Sequence, residues 1–331
     1  MTTTVAVTGA DGFIGSHLVE RLVASGCRVR AMVQYNSLGS WGWLDEVDPE
    51  VMTEVEVVPG DVRDRNSVYG LMKGAEVVYH LAALIAIPYS YQAPRSYLDT
   101  NVVGTMNVLD VARQLGTTRV VHTSTSEVYG TAVTVPIRET HPLQAQSPYS
   151  ASKIAADKLV ESYWLSFRTP VVTVRPFNTF GPRQSARAVI PTVISQIAAG
   201  HRVISLGALD PTRDFNYVAD TAAGFVAVGQ APAEAVAGGV FNVGSGREIS
   251  VEALVHLVSK LMNTEVEVVL DSKRLRPETS EVMRLVCDRS LVKNAVGWDP
   301  CYTLEDGLEE TIDWFRDPRN LRRYRTDQYN V

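Results

Sequence analysis

Cysteine is scarce, positive charge is in the minority and long apolar runs are absent, and each shortage excludes a class of protein. The three cysteines, Cys27, Cys287 and Cys301, are too few and too widely spaced for a disulfide framework, which favours a reducing compartment. A net charge of −6 argues against a nucleic-acid binder. No apolar run approaches the ~18 residues of a membrane span, and no signal peptide is evident. We therefore expect a cytoplasmic protein that binds neither membranes nor nucleic acids.

Short apolar runs alternate with helical patterns through the first half of the chain. Helices are predicted after a glycine-rich turn at residues 9–15 and at residues 101–115 and 150–167. Strands are predicted at residues 4–8, 28–33, 55–59, 77–83, 119–124 and 170–176. Because strands that alternate with helices form parallel, doubly wound sheets, we predict an α/β fold.

This alternation breaks down after residue 176, where proline and glycine become frequent. Short strands at 202–206 and 239–243 and helices at 251–262 and 304–315 are predicted there. We therefore assign residues 1–176 mainly to a dinucleotide-binding domain and residues 177–331 mainly to a smaller substrate-binding lobe. From this lobe the chain returns to the sheet, and no flexible linker marks a clean boundary.

Three glycines, Gly9, Gly12 and Gly15, stand between the first strand and the first helix. In a dinucleotide-binding turn, the first glycine permits the tight turn, the second lets the backbone approach a pyrophosphate, and the third lets helix and strand pack closely. The helix N-terminus then offers free N–H groups to the phosphates. This arrangement predicts a bound dinucleotide.

The end of the second predicted strand lacks the acidic residue that normally holds the adenosine ribose of NAD. Residues 33–37 read Val-Gln-Tyr-Asn-Ser, and no arginine clamp for a 2′-phosphate is evident either. The choice between NAD and NADP therefore stays open. Asp61, after the third strand, is placed to meet the adenine amino group.

A tyrosine and a lysine, Tyr149 and Lys153, lie four residues apart at the start of a predicted helix and so share one face. A free tyrosine has a pKa near 10 and is a poor base at neutral pH. A neighbouring ammonium and an oxidised nicotinamide would favour its phenolate. We predict that Tyr149 is a general base assisted by Lys153.

The fifth predicted strand ends in Thr125-Ser126-Glu127. Active sites of open α/β sheets lie at the carboxyl ends of strands. Thr125 is placed to hydrogen-bond a substrate hydroxyl. A simple reductase has no need of the Glu127 carboxylate, which suggests proton abstraction next to a carbonyl.

Together these residues resemble the nucleotide-sugar epimerase and dehydratase branch of the extended short-chain dehydrogenase/reductase superfamily. The likeness spans nearly the whole chain and implies a Rossmann-like sheet. Besides the glycine turn and Tyr149/Lys153, it is carried by Asp61, His80-Leu81-Ala82-Ala83, Asn101, Arg175-Pro176-Phe177-Asn178 and Arg213-Asp214-Phe215.

Within that branch, Thr125-Ser126-Glu127 looks like the triplet of 4,6-dehydratases. The GDP-mannose enzymes carry Ser-Glu as here, and the dTDP-glucose enzymes carry Asp-Glu, so the acid that protonates the leaving hydroxyl stays open between Ser126 and Glu127. Residues 35–45 and 84–91 are similar to N-acetylglucosamine-nucleotide 4,6-dehydratases of bacillosamine and legionaminic acid pathways.

The resemblance implies a 4-keto-6-deoxy product, formed by internal hydride transfer from C4 through NAD or NADP to C6 with loss of water. The cofactor should stay tightly bound and be regenerated in each cycle. Expected substrates are UDP- or GDP-N-acetylhexosamines, and no metal is expected. The implied cofactor contacts are Gly9, Gly12, Phe13, Ile14, Gly15, Tyr35, Asn36, Asp61, Val62, Leu81, Ala82, Ala83, Asn101, Tyr149 and Lys153. The implied substrate contacts are Asn178, Arg187, Arg213 and Arg276.

Family members pair two helices into a four-helix bundle, so the resemblance also implies a homodimer. The helices from Asn101 and Ser150 carry apolar residues beyond one stripe, namely Val102, Val103, Val108, Ile154, Ala155 and Leu159.

Three other functions are compatible with these residues. A nucleotide-sugar glucuronate decarboxylase can also carry Thr-Ser-Glu and needs a cation for the sugar carboxylate, for which Arg213 is the candidate. A hexose 4-epimerase would leave Glu127 idle. A non-catalytic cofactor-binding regulator would have no need of both Tyr149 and Lys153.

Overall fold

A seven-stranded parallel sheet forms the centre of the computed structural model, which describes residues 2–329. The strands are β1 (Thr4–Thr8), β2 (Arg28–Gln34), β3 (Val55–Gly60), β4 (Val77–His80), β5 (Arg119–Thr123), β6 (Val171–Pro176), β7 (Asn178–Phe180), β8 (Val203–Leu206), β9 (Thr212–Arg213), β10 (Phe215–Tyr217), β11 (Val240–Val243), β12 (Ile249–Ser250) and β13 (Glu267–Leu270). Their order in the sheet is β3-β2-β1-β4-β5-β6-β11. This is the doubly wound order of dinucleotide-binding folds, in which ligands bind where the strand order reverses. Here the order reverses between β1 and β4.

Helices cover both faces of the sheet, as the predicted Rossmann-like α/β class requires. They are α1 (Phe13–Ala24), α2 (Pro49–Met52), α3 (Arg65–Met72), α4 (Ile87–Gln92), α5 (Pro94–Tyr97), α6 (Gly104–Leu115), α7 (Pro148–Phe167), α8 (Val189–Ala198), α9 (Val218–Gln230), α10 (Ala233–Val236), α11 (Val251–Leu261), α12 (Ser290–Val296), α13 (Leu304–Arg316) and α14 (Pro318–Leu321). One buried apolar cluster joins α1 and α9 to the sheet, and another joins α3, α6 and α7 to it.

The second half of the chain contributes to two cores. A separate apolar cluster is built from α8, α11 and α13 with strands β8 and β10. In contrast, β11 pairs in parallel with β6, and α9 packs on α1, so both belong to the central sheet layer. The chain thus returns to the sheet, and the division at residues 176 and 177 stays a prediction.

Two predicted elements differ from those observed. The strand predicted to reach residue 83 ends at His80, because the N–H groups of Leu81 and Ala82 donate to Thr8 Oγ1, both at 3.1 Å. The helix predicted from residue 101 begins as an α-helix only at Gly104, after a π-helical turn over Leu98–Val103. Within residues 2–329, no helix is long and apolar enough to cross a membrane.

Candidate active site

The glycine turn between β1 and α1 has no room for side chains. Gly9 has φ +69°, and a Cβ added to it would lie 2.8 Å from the nitrogen of Ala82. A Cβ on Gly15 would lie only 2.0 Å from the carbonyl oxygen of Gly9. Gly12 caps α1 without a side-chain hydrogen bond, so no side chain occupies the N–H groups of the first turn, which begins at Phe13 and Ile14. A closely approached, uncapped helix N-terminus fits the pyrophosphate of a dinucleotide.

Asp11, which sequence reasoning missed, ties this turn to the end of β2. Its carboxylate accepts a hydrogen bond from the Gln34 N–H at 3.0 Å, and burial raises its pKa. Nothing in the sequence distinguished Asp11 from a spacer between glycines. Beyond Gln34, Tyr35 is 75% exposed, and Asn36 folds the following loop by accepting from the N–H groups of Leu38 and Ser40.

On the far side of the adenosine region, Asp61 follows β3 and forms an ion pair with Arg63. This contact lowers the pKa of the Asp61 carboxyl. The adjacent Val62 is buried, and its carbonyl oxygen accepts from Asn107 at 2.9 Å. Asp61 therefore lies just beyond the carboxyl end of β3, the edge strand of the sheet, and its contact with adenine stays a prediction.

The carboxyl end of β4 lies against the glycine turn and is held by polar contacts. Thr8 Oγ1 lies 2.8 Å from His80 Nδ1 and also accepts from the Leu81 and Ala82 N–H groups. The chain then runs through Ala83 to Leu84. Buried Asn101 accepts from the Leu84 N–H at 2.8 Å and donates to the Leu84 carbonyl oxygen at 2.9 Å. These contacts fix the backbone of residues 81–84 beside the predicted dinucleotide.

Tyr149 lies in the first turn of α7, which starts with a capping box between Ser147 and Ser150. Its side chain is only 6% exposed. Burial raises its pKa above the ordinary value, a hydrogen bond with Thr125 lowers it, and the charge of Glu127 raises it again. At neutral pH the phenol on its own therefore stays protonated, and little phenolate is present to act as a base. Tyr97, another residue that sequence reasoning missed, packs against it with ring centroids 6.2 Å apart.

Lys153 is buried one turn further along α7, and its Nζ donates to the carbonyl oxygen of Thr123 at 2.6 Å. Burial lowers its pKa to about 8, while the nearby Asp157 carboxylate acts in the opposite direction. At neutral pH most of the lysine therefore carries its charge.

The Thr125-Ser126-Glu127 segment forms a short 3₁₀ turn at the end of β5. Thr125 caps this turn, and its Oγ1 accepts from the Glu127 N–H at 3.2 Å. Ser126 is buried, whereas Glu127 is half-buried. The charge of Glu127 acts on Tyr149, on Arg213 and on Arg276. The structure thus places the Glu127 carboxylate close enough to Tyr149 for its charge to raise the pKa of the phenol.

Three predicted substrate contacts differ in whether other protein groups already bind their polar atoms. Arg213 is buried and donates to Glu281 at 3.0 Å, so its charge is already paired. Arg276 Nη1 makes no hydrogen bond among residues 2–329 but lies 3.5 Å from Oε1 of the same Glu281, so its charge is also paired. Asn178 Oδ1 is buried without a hydrogen-bond partner among these residues. Because buried polar atoms are nearly always satisfied, Asn178 Oδ1 indicates a ligand that supplies the missing donor.

Arg187 is the most exposed of the predicted substrate contacts. Its Nε donates to Ser185 Oγ at 3.1 Å, and its charge lowers the pKa of Tyr97, which burial otherwise raises. The Arg187 guanidinium is therefore close enough to Tyr97 for its charge to act on the phenol.

Known proteins that this chain resembles include nucleotide-sugar dehydratases and epimerases. A family model described as GDP-mannose 4,6 dehydratase matches residues 6–311. UDP-glucose 4-epimerase of Mycolicibacterium smegmatis is 33% identical over 316 residues, which cover 94% of this chain and 97% of that protein. dTDP-glucose 4,6-dehydratase of Xanthomonas campestris pv. campestris is 31% identical over 335 residues, which cover 93% and 92%.

A solved structure shares the fold and both lobes. DesIV, a dTDP-glucose 4,6-dehydratase from Streptomyces venezuelae crystallised with NAD, superposes with a TM-score of 0.85 at 28% identity. The match covers 96% of this chain and 98% of that one. The finer likeness to N-acetylglucosamine-nucleotide dehydratases stays a prediction. The family match, the strand order and the glycine turn place this chain in the GDP-mannose 4,6 dehydratase family, the nucleotide-sugar dehydratase and epimerase branch of the short-chain dehydrogenases/reductases.

Proposed function

We propose that this protein is an NAD-dependent 4,6-dehydratase that converts a UDP- or GDP-N-acetylhexosamine into its 4-keto-6-deoxy derivative. The observation that carries the proposal is the position of Glu127, whose carboxylate acts on Tyr149 from the neighbouring turn. An enzyme that only oxidises and reduces C4 has no use for a second proton acceptor there. A dehydratase needs one to remove the C5 hydrogen.

Each side chain then has a distinct task. The nicotinamide, when bound, supplies the redox chemistry by accepting a hydride from C4 and returning it to C6. Tyr149 takes the proton of the 4-hydroxyl, and the ammonium of Lys153 favours the phenolate form of the tyrosine. The C4 ketone acidifies the C5 hydrogen, which Glu127 removes. Ser126 or Glu127 protonates the hydroxyl that leaves from C6 as water, and C5 regains a proton from solvent when the hydride is returned to C6.

The dinucleotide fits the residues present, because side chains are excluded at Gly9 and Gly15 and α1 has no side-chain cap. We assign NAD rather than NADP because residues 35–46 contain no lysine or arginine, and Asp45 lies in that loop. Arg63, which follows β3, is paired with Asp61. A 2′-phosphate would therefore lack a free cation there. The cofactor is regenerated in each cycle and should remain tightly bound.

The N-acetylhexosamine assignment is supported by the wall formed by residues 84–91. Tyr89 packs on Tyr97 with centroids 6.2 Å apart, and Tyr97 in turn packs on Tyr149. Ile85 and Tyr89 are exposed, at 58% and 40%. An apolar surface this close to the base suits the methyl group of an acetamido substituent.

The rival activities fit less well. Decarboxylation of a sugar acid needs a free cation for the carboxylate, but Arg213 and Arg276 are both paired with Glu281, at 3.0 and 3.5 Å. Epimerisation at C4 uses Tyr149 and Lys153 and leaves Glu127 without a task. A non-catalytic regulator would need neither Tyr149 nor Lys153.

We also propose a homodimer that pairs the α6 and α7 faces. Leu98, Val103, Met106 and Leu165 are exposed apolar side chains on this side of the molecule. Val108, which the sequence also suggested for the bundle, is fully buried in its own chain and belongs to the core.

Two matched variants test the function. Glu127→Gln removes the C5 base but leaves C4 oxidation intact, so it should accumulate reduced cofactor, seen by near-ultraviolet absorbance, and release no 4-keto-6-deoxy sugar. Tyr149→Phe blocks C4 oxidation and should accumulate neither, with turnover reduced roughly 10²–10⁴-fold. Substrates to compare are UDP- and GDP-N-acetylglucosamine, dTDP-glucose and GDP-mannose, with products identified by mass.

The chemical identity of the product distinguishes the three candidate enzyme activities. Loss of water supports the dehydratase, unchanged mass with inverted C4 supports an epimerase, and release of carbon dioxide supports a decarboxylase. If Glu127→Gln forms the 4-keto-6-deoxy product at the parent rate, the role assigned to Glu127 is wrong. If the parent turns over none of these sugars, the assigned substrate class is wrong.

A further inference from the structure

Behind the Tyr149–Lys153 pair, a buried carboxylate collects hydrogen bonds from two strands. Asp157, only 6% exposed, accepts from Ser124 Oγ at 2.9 Å and lies 3.2 Å from His122 Nε2. Arg175 on β6 donates to the same carboxylate through Nε at 3.1 Å and Nη2 at 2.9 Å. None of these groups has a task in the proposed reaction. So many contacts to one buried charge call for an explanation.

The groups around Lys153 show which charges lie near the Asp157 carboxylate. His80 on β4 and His122 on β5 have pKa values lowered chiefly by burial, and the Lys153 charge contributes to both shifts. Both rings are therefore neutral at physiological pH. The charged groups that remain are the Lys153 and Arg175 cations and the Asp157 anion. Burial raises the pKa of the Asp157 carboxyl, but the hydrogen bonds from His122 and Ser124 and the charge of Arg175 outweigh it and keep this pKa low.

Two paths connect Asp157 to Lys153. The residues are four apart on α7, so both side chains project from one face of the helix. In addition, Ser124, which donates to Asp157, directly follows Thr123, whose carbonyl oxygen receives the Lys153 ammonium. The carboxylate is thus linked to Lys153 through space and through the end of β5.

We propose that Asp157 is a positioning residue for Lys153: its carboxylate keeps the buried ammonium charged and, through Ser124, fixes the carbonyl group that binds it. Asp157 itself does not touch the substrate or the cofactor. Its charge also reaches Tyr149, where it is the smallest of the contributions that raise the pKa of the phenol. Lys153 is therefore the group through which Asp157 acts.

The test is a direct titration of Lys153 in the purified protein, with no substrate. The chain has six lysines, and Lys153 is the buried one, because the other five are exposed. With ¹³Cε-labelled lysine, Lys153→Met identifies the Lys153 resonance by its disappearance. In the parent this resonance should titrate near pH 8, well below the ~10.4 of a free lysine.

Asp157→Asn keeps the shape of the side chain and removes its charge, so the Lys153 midpoint should fall by roughly one unit or more. Asp157→Glu restores the charge and should restore most of the midpoint. The matched control is Glu161→Gln, which removes a carboxylate one turn further along α7. Glu161 is exposed and paired with Lys158 at 2.7 Å. This control should leave the Lys153 midpoint unchanged.

Ser124→Ala provides a second route if Asp157→Asn does not fold. It removes one bond that orients the carboxylate and should lower the midpoint by a smaller amount. An unmoved midpoint in every folded variant of Asp157 and Ser124 overturns the proposal and leaves Asp157 as a structural partner of Arg175. Because the titration uses no substrate, its outcome is independent of the dehydratase proposal.

Discussion

Adding one methyl group to Gly15 should lower the thermal stability of the protein, whereas adding one to Gly70 should raise it, although both glycines lie in helices. A Cβ on Gly15 would meet the Gly9 carbonyl oxygen at 2.0 Å and the Ala10 Cα at 2.9 Å. Both are backbone atoms and cannot rotate away, so α1 must retreat by about 1 Å. Overpacking of this kind costs roughly 1–3 kcal/mol. Gly70, in α3, has no atom within 4 Å of an added Cβ.

The helical preference of alanine over glycine is worth about 0.5–1 kcal/mol. Gly70→Ala should gain this amount in full, and its thermal midpoint should rise. At Gly15 the clash exceeds the gain, so Gly15→Ala should unfold at a lower temperature than the parent. Circular dichroism of the two variants and the parent, under the same conditions, makes the comparison.

Gly15→Ala should also weaken NAD binding, because the displaced helix N-terminus no longer meets the phosphates. Loss of one hydrogen bond to a charged group costs about 1.5–3 kcal/mol, which is tenfold or more in Kd. Calorimetric titration of nucleotide-free protein measures the change, and Gly70→Ala should bind NAD as the parent does. Parent-like NAD affinity in Gly15→Ala, together with a raised thermal midpoint, would refute the close-approach argument.

The remaining predictions concern the substrate, the assembly and pH. Asn178→Ala should raise the KM for the nucleotide sugar up to about tenfold and leave NAD affinity unchanged. The variant loses the buried Oδ1, which we expect to accept a hydrogen bond from the substrate. Light scattering at micromolar concentration should show a dimer, and Val103→Glu with Met106→Lys should give a monomer. Lys153 has a pKa lowered by burial to about 8, so the fold binds fewer protons than the unfolded chain above that pH. The stability of the parent relative to Lys153→Met should therefore rise between about pH 8 and 10.4, and a constant difference would contradict it.

The sequence was most informative where spacing alone determines geometry. Tyr149 and Lys153 share a helix face because they are four residues apart, and the glycine turn follows from its place between a strand and a helix. Local sequence patterns did not predict the structure correctly where contacts between distant parts of the chain determine it. Leu81 and Ala82 read as a continuing strand, but Thr8, more than seventy residues earlier, captures their N–H groups.

Polar residues on helices were the hardest to interpret. Asp157 looks like an ordinary residue on a solvated helix face, and only the fold reveals that His122 and Arg175 surround it. Asp11 stands between two glycines of the turn, and no local pattern marks it as a contact. Its hydrogen bond to Gln34 exists because β1 and β2 are neighbours in the sheet.

Burial opposes the chemistry proposed for this site. It raises the pKa of Tyr149, which in the proposed reaction loses a proton, and lowers the pKa of Lys153, which keeps one. Displacing the Lys153 pKa from that of a free lysine by more than two units corresponds to roughly 3 kcal/mol at neutral pH. A fold under selection for stability alone would place an apolar side chain at this position. The buried lysine, and the carboxylate of Asp157 behind it, are therefore what the role proposed for Tyr149 would require, because a nearby positive charge favours the phenolate of a tyrosine.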